Sequence, residues 1–176
     1  MKNLICHLLA VCSITTCMFA SQAEDEAAAT LTKVGQDAPA FECIATDGTN
    51  LKLVDLRGRV VLISFFATSC APCVVEMPHL EKEVWQKFKG EKFAMMAIGR
   101  EHENKDLSEF QKKHQLTFPL AGDPKRAIYS RFATQYIPRN YVVGADGKIA
   151  FQSVDYTEAE FARMIEVIGQ EIAKVK

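Results

Sequence analysis

Cys70-Ala71-Pro72-Cys73 carries the clearest chemistry in this chain. Two thiols three positions apart can close a disulfide on each other without a long chain rearrangement, and the thiolate form is the nucleophile that starts disulfide exchange. Immediately upstream runs Val60-Val61-Leu62-Ile63-Ser64-Phe65-Phe66, a nearly continuous β-branched and aromatic run of the type buried on both faces of a sheet. Downstream, Val74, Met77, Leu80, Val84 and Phe88 follow helical spacing, and Gly90 supplies a C-cap. The pair is therefore expected at a strand-to-helix junction, where free backbone N–H groups and the helix macrodipole favour negative charge. Such a setting lowers a cysteine pKa from about 8.5 into a range of roughly 3.5 to 7.5, which makes Cys70 the nucleophile and leaves Cys73 to resolve. A structural zinc site is disfavoured because no second CxxC or suitably spaced Cys/His pair exists, so no metal is expected. A purely structural disulfide would close too small a loop to stabilise much. Redox chemistry needing no cofactor beyond the dithiol is the expectation.

The rest of the chain supplies the frame. Phe41 to Ala45 and Leu51 to Val54 flank Asp47-Gly48, a hairpin turn signal. Pro78 is expected to bend the helix after Cys73, since it lacks an amide proton. Phe93 to Ile98 reads as a second buried strand, followed by a helix with Leu107, Phe110 and His114 on one face and a short strand at Phe118 to Ala121. Asp123-Pro124 has the form of an N-cap followed by proline at the first helical position, predicting a helix through Phe132. Tyr141 to Gly144 and Lys148 to Gln152 surround Asp146-Gly147, a second hairpin, and Thr157 with Glu160 opens a final helix burying Phe161, Met164, Ile165, Ile168 and Ile172. Strands alternating with helices predict a three-layer α/β/α sandwich whose mixed central sheet ends in an antiparallel hairpin.

Composition narrows the class. The chain has 176 residues, enough for one domain behind a processed leader. Lys+Arg 21 against Asp+Glu 22 gives a net charge of −1, which offers no drive toward nucleic acid or an anionic membrane surface. Lys2, the apolar stretch from Leu4 to Ala20 and Ser21-Gln22-Ala23 have a signal-peptide layout, with cleavage expected after Ala23. A lipid-modified Cys17 or Cys12 is the alternative, disfavoured by Thr16 and Val11 just before them. Cleavage removes Cys6, Cys12 and Cys17 and leaves Cys43, Cys70 and Cys73. The Ala-, Glu- and Thr-rich residues 24–34 are expected to form a flexible tether, and residues 35–176 the folded domain.

The segment VVLISFFATSCAPC is similar to the strand and active-site turn of the thioredoxin-like superfamily. VGQDAPAF, LVDLRGRVVLISFFA, CAPCVVEMP and IPRNYVVGADGKI resemble, in that order, signatures of the extracytoplasmic TlpA/ResA-like thiol-disulfide oxidoreductases, over most of residues 34 to 152. The resemblance implies a thioredoxin-like fold with an N-terminal β-hairpin and an inserted helix-strand element. It also implies export, and exchange with protein substrates through Cys70 and Cys73. Such a protein is reduced in turn by a membrane thiol electron donor, with apocytochrome c among the implied clients. A monomer is expected. Pro138 resembles the superfamily proline that adopts the cis form opposite the CxxC, exposing the Ile137 backbone to an extended substrate alongside Ala71 and Pro72. Ser64 stands where thioredoxin has a buried aspartate. Glu76 instead matches the acidic residue of the TlpA/ResA-like group, and the i, i+3, i+6 spacing of Cys70, Cys73 and Glu76 places it near the resolving thiol, as a proton shuttle if desolvated. Ser69 replaces the usual Trp before the first cysteine, and Arg139 and Asn140 stand where small hydroxyl residues are frequent, which bears on substrate preference.

The remaining candidates are assigned to packing or surface. Cys43 is expected to be a buried strand residue, Trp85 a helix-packing residue, and His79, His102 and His114 surface or interface residues without metal spacing. Two rival functions share the motif. A thiol peroxidase is suggested because GQDAPAF and LRGRVVLISFFA are shared with peroxiredoxins, although Ile63 and Ala67 occupy the positions where those enzymes place Pro and Thr or Ser. A non-enzymatic client-binding module with an incidental dithiol is the other, and it predicts client capture unchanged by Cys70→Ser.

Overall fold

The computed structural model describes residues 24–175, so the leader expected over residues 1–23 lies outside the described region. Around Asp47-Gly48, β1 (Glu42–Ile44) and β2 (Asn50–Lys52) pair antiparallel. Gly48 takes the positive φ of +88° that the turn needs, and Asp47 Oδ1 accepts the Thr49 amide hydrogen at 2.9 Å. The apolar run Val60–Phe66 forms β3, buried along its whole length. β4 (Phe93–Arg100), β5 (Leu120–Asp123), β6 (Arg139–Val143) and β7 (Ile149–Val154) complete a five-stranded sheet in the order β5-β4-β3-β6-β7. β3, β4 and β5 run parallel, while β6 is antiparallel to both β3 and β7, so the sheet is mixed.

Alternation along β3 divides the interior in two. Val60, Leu62 and Phe66 face a core shared with α1 (Ala71–His79), α2 (Asn104–Lys113) and α3 (Glu158–Ala173). Val61, Ile63 and Phe65 face the other core, against Phe41, Leu53, Tyr129 and Phe132. Each large apolar side chain fully buried in this way contributes roughly 1.5–3 kcal/mol, so a register slip of one residue, which would exchange the faces, is strongly opposed. Thr157 accepts the Glu160 amide hydrogen at 3.2 Å and starts α3, whose Phe161, Met164, Ile168 and Ile172 are buried. The thioredoxin-like mixed α/β architecture with an N-terminal hairpin is the one expected from the sequence.

The helical path expected from Cys73 toward Gly90 does run past Pro78. Beyond α1 it passes through a π-type stretch at Leu80–Trp85 to a last α turn at Gln86–Phe88, so the irregularity follows the proline directly. Two other local expectations are corrected. The helix expected over residues 124–132 is absent, reduced to a 3₁₀ turn at Tyr129–Arg131. Asp123 is instead the last residue of β5, and its Oδ2 accepts the amide hydrogens of Ile128 and Tyr129 at 3.0 and 2.8 Å. Arg126, at φ +56°, interrupts any helical path, and Tyr129 and Phe132 anchor the segment through rings 5.3 and 5.1 Å from Phe65. Nor are residues 24–34 a free tether. Residues 24–28 are helical, Ala29 and Thr32 are buried, and the backbone bonds Leu31 N–H to Phe132 O and Thr134 N–H to Ala29 O are both 2.9 Å. Thr30 and Thr32 supply side-chain partners to Arg139 and Gln152, which gives this polar stretch a docking role that its composition does not advertise.

Candidate active site

Cys70 is the N-cap of α1, four residues beyond the end of β3, and Pro72 sits in the first turn, where its missing N–H leaves no orphan donor. Cys70 Sγ accepts the Cys73 amide hydrogen at 3.3 Å. Cys70 and Cys73 form a disulfide with Cα atoms 5.3 Å apart. The two sulfurs are not equivalent: Cys70 is partly exposed, whereas Cys73 is fully buried under the helix. An attacking partner reaches Cys70, and on reduction the helix N-terminus and the Cys73 amide both stabilise its thiolate.

Across the junction, the Ile137–Pro138 peptide is cis, and Ile137 O lies 3.6 Å from Cys70 Sγ. Pro138 is buried, Ile137 is partly buried between the two cores, and Pro138 O accepts the Asp155 amide hydrogen at 2.9 Å. Ala71, Pro72, Val75 and Tyr136 are exposed around the disulfide, with Ser69 at the strand side. On the β4 side, Thr68 N–H donates to His102 Nε2 at 3.0 Å, so His102 buttresses the active-site loop and is not merely a surface residue. His79 pairs with Glu83 and stacks on Tyr156, and the His114 ring lies tilted against Phe110 with centroids 4.3 Å apart. Trp85 packs partly buried against the helix-side core.

Glu76 is 1% exposed, one helical turn after Cys73. Burial pushes its carboxyl up from the ordinary 4.5 to about 8; the Asp155 charge adds to that rise, and the hydrogen bond donated by Asn140 opposes it. Asn140 Nδ2 donates to Glu76 Oε1 at 2.6 Å. Arg139 and Asn140, whose sequence positions suggest a bearing on substrate preference, are 1% and 2% exposed and cannot line a recognition surface. They are structural partners instead, because β6 alternates between the two cores and its first residues already lie inside the sheet. The link from Asn140 to Glu76 is one that sequence reasoning misses, although alternation back from Val142 puts residue 140 on the helix-bearing face. Cys43 is a buried free thiol in β1, which burial first and then the nearby Asp123 charge push up to about 11. Among the described residues, no group of three or more His, Cys, Asp or Glu is arranged to hold a metal ion.

The profile of the AhpC/TSA family matches residues 34–152. The thiol-disulfide oxidoreductase ResA of Bacillus cereus is 29% identical over 117 residues, covering 66% of this chain and 67% of its own. The thioredoxin-like protein YneN of Bacillus subtilis (strain 168) is 35% identical over 118 residues, covering 65% and 68% respectively. A solution structure of a candidate protein disulfide isomerase from Bacteroides thetaiotaomicron superposes with a TM-score of 0.79 at 34% identity, covering 82% of this chain and 93% of that one. A buried cysteine beneath a partly exposed helix-capping one is an arrangement suited to dithiol exchange, and the chain belongs to the AhpC/TSA family of thioredoxin-like proteins as a thiol-disulfide oxidoreductase.

Proposed function

We propose that the protein works outside the cytoplasm as a reductant of protein disulfides. Cys70 thiolate attacks one sulfur of a client disulfide, forming a Cys70–client bond and releasing the first client thiolate. Cys73 then passes its proton to Glu76 carboxylate and attacks Cys70 Sγ, so that the Cys70–Cys73 bond forms and the second client thiolate leaves. The two electrons that reduce the client come from the dithiol, and both client thiolates take up protons, one of them returned through Glu76. A membrane thiol donor resets the pair, and apocytochrome c is a fitting client class. Ala71, Pro72 and the partly buried Ile137 form the surface on which an extended client segment pairs beside the sulfur, and Pro138, buried, acts through the cis bend that presents Ile137.

The observation that carries this reading is the asymmetry of the pair: Cys70 partly exposed at a helix N-cap, Cys73 buried with Glu76 one turn behind it. The name of the Bacillus relatives supports the exchange activity, and the signal-peptide layout of residues 1–23 supports export; among the described residues no helix is long and apolar enough to cross a membrane. The test is a Cys73→Ala variant expressed in cells, with mixed disulfides to Cys70 isolated from the envelope. Trapped envelope proteins bearing cysteine pairs are expected, and an empty trap overturns the reading. A reduction potential above about −150 mV would reverse the direction to client oxidation.

The family match favours one second reading, a thiol peroxidase. Ile63 and Ala67, both buried, offer no hydroxyl or ring where the peroxide-binding positions would be. Peroxide consumption that survives Cys73→Ser would establish it.

A further inference from the structure

Three polar side chains meet inside the apolar layer under α1. Ser64 and Asn140 are direct antiparallel partners on β3 and β6. Strand alternation turns both toward the helix-bearing core that Leu62, Phe66 and Val142 line. Glu76 reaches the same place from α1, and none of the three is more than 2% exposed. One hydrogen bond joins them, from Asn140 Nδ2 to Glu76 Oε1 at 2.6 Å. Ser64 Oγ, Glu76 Oε2 and Asn140 Oδ1 have no partner. Buried polar atoms left in this way are costly, and a Val at 140 with an apolar residue at 76 would pack the same space without them. Packing alone therefore does not account for the pair. Among the described residues, no cation is among the groups that set the Glu76 carboxyl: Asp155 on the β7–α3 turn is its charged neighbour, Tyr156 beside it senses the Glu76 charge, Cys73 and His79 are the titratable residues three positions to either side on its own helix, and Ser64 and Asn140 on the sheet are neutral.

Resting on the reading of Glu76 as proton acceptor, we propose that Asn140 is a positioning residue for the resolving step. Its amide pins Glu76 Oε1 and leaves Oε2 as the oxygen that takes the proton from Cys73. In that transfer the Cys73 S–H bond breaks, the Oε2–H bond forms, and the thiolate pair on Cys73 becomes the new bond to Cys70 Sγ. Because an amide N–H interacts more strongly with a carboxylate than with a carboxylic acid, Asn140 also holds down the pH at which Glu76 becomes competent.

Reduced protein mixed with excess 5,5′-dithiobis(2-nitrobenzoate) separates the two half-reactions. The first coloured thiolate marks attack by Cys70 and depends on reagent concentration; the second marks attack by Cys73 on the mixed disulfide and does not. In the intact protein the second phase is expected to accelerate as Glu76 ionises. Asn140→Leu and Asn140→Val both remove the donor, and Val, being β-branched, suits the strand should Leu overpack. Either is expected to move the midpoint of the second phase up by about one pH unit, slowing it about tenfold at neutral pH, with the first phase unchanged. Asn140→Thr, which keeps a hydroxyl donor, is expected to restore most of the shift. In a Glu76→Gln background the Asn140 substitutions are expected to change nothing further. An unmoved midpoint in both donor-free variants, or a shift that persists in the Glu76→Gln background, overturns the positioning role. A pH profile unaltered by Glu76→Gln alone overturns the proton-acceptor reading and this role with it, whereas loss of the first phase in Cys70→Ser tests only the nucleophile.

Discussion

Cys70 Sγ lies 3.6 Å from the carbonyl oxygen of Ile137. The contact follows from the sheet: Phe65 on β3 is paired with Arg139 on β6, so the loop leaving one strand and the loop entering the other must share one edge. In the disulfide the sulfur has no proton to give, whereas a reduced Cys70 thiol can donate to this oxygen. Two influences therefore oppose each other at one atom. The Ile137 carbonyl favours the thiol, while the Cys73 amide at 3.3 Å and the free N–H groups of the α1 N-terminus favour the thiolate.

The helix terminus is expected to win, since several donors converge on the sulfur against a single carbonyl dipole. Following thiolate absorbance of the reduced protein against pH should place the Cys70 midpoint within the range of roughly 3.5 to 7.5 found for thiols at helix N-termini. A midpoint at or above that of free cysteine, about 8.5, would contradict the placement of the nucleophile.

Glu76 makes stability depend on pH in a direction that can be worked out. Its folded-state value of about 8 lies above the ordinary 4.5, so the folded protein holds this proton more tightly than the unfolded chain. The corresponding stability is fully present below about 4.5 and is lost as pH rises through 8. Glu76→Gln, neutral throughout, should therefore unfold at a higher urea midpoint than the parent above pH 8. The gap should widen between those two values, reaching on the order of a few kcal/mol at about 1.4 kcal/mol per unit. Parallel curves for the two proteins across that window would show that Glu76 does not carry the shift.

Much of this arrangement is legible in the sequence. β3 announces itself as an unbroken apolar run, and the strand-to-helix position of Cys70 follows from that run ending four residues before it. What is not legible depends on distant partners. Asp123-Pro124 has the local chemistry of a helix start, yet packing of Tyr129 and Phe132 onto Phe65 across the chain decides the conformation. Residues 24–34 look like a tether because the residues they satisfy, Arg139 and Gln152, are more than a hundred positions away. Asn140 reads as a recognition residue because its side-chain direction depends on the register of β6 against β3, and a sequence window does not contain that register.

Cys43 separates reactivity from mere presence of a thiol. It is buried in β1 and held near 11, so almost none of it is thiolate at neutral pH. Brief iodoacetamide treatment of the reduced native protein should modify Cys70 and spare Cys43, with Cys43 becoming labelled only in denaturant; Cys43→Ala should leave exchange rates within about twofold, since the residue touches none of the exchange machinery. Rapid labelling of Cys43 in the native protein, read by peptide mass spectrometry, would assign it a role that this structure does not contain.

Arg139 ties the N-terminal segment to the loop that carries Ile137. Arg139 is 1% exposed, and its Nε donates to Gln135 O at 2.9 Å and Tyr136 O at 3.2 Å while Nη1 donates to Thr30 Oγ1 at 2.9 Å. Tyr136 O also accepts from the Tyr129 hydroxyl at 2.6 Å and Thr30 Oγ1 also donates to Glu26 O at 2.7 Å, so each keeps one partner when the arginine is removed, but Gln135 O loses its donor. Arg139→Met preserves length and apolar contact and removes every donor; it should cost about 2–4 kcal/mol and make residues 24–32 susceptible to limited proteolysis. Arg139→Lys should recover little, because one ammonium on a flexible stem cannot reach across from a loop carbonyl to Thr30 as a planar fork does. Since the same loop presents Ile137 O to the sulfur, the Met variant should also alter the rate at which Cys70 attacks a small disulfide while leaving the proposed Glu76-assisted step at Cys73 unmoved. Wild-type stability and an intact N-terminal segment in that variant would mean that the buried cation braces neither the segment nor the loop.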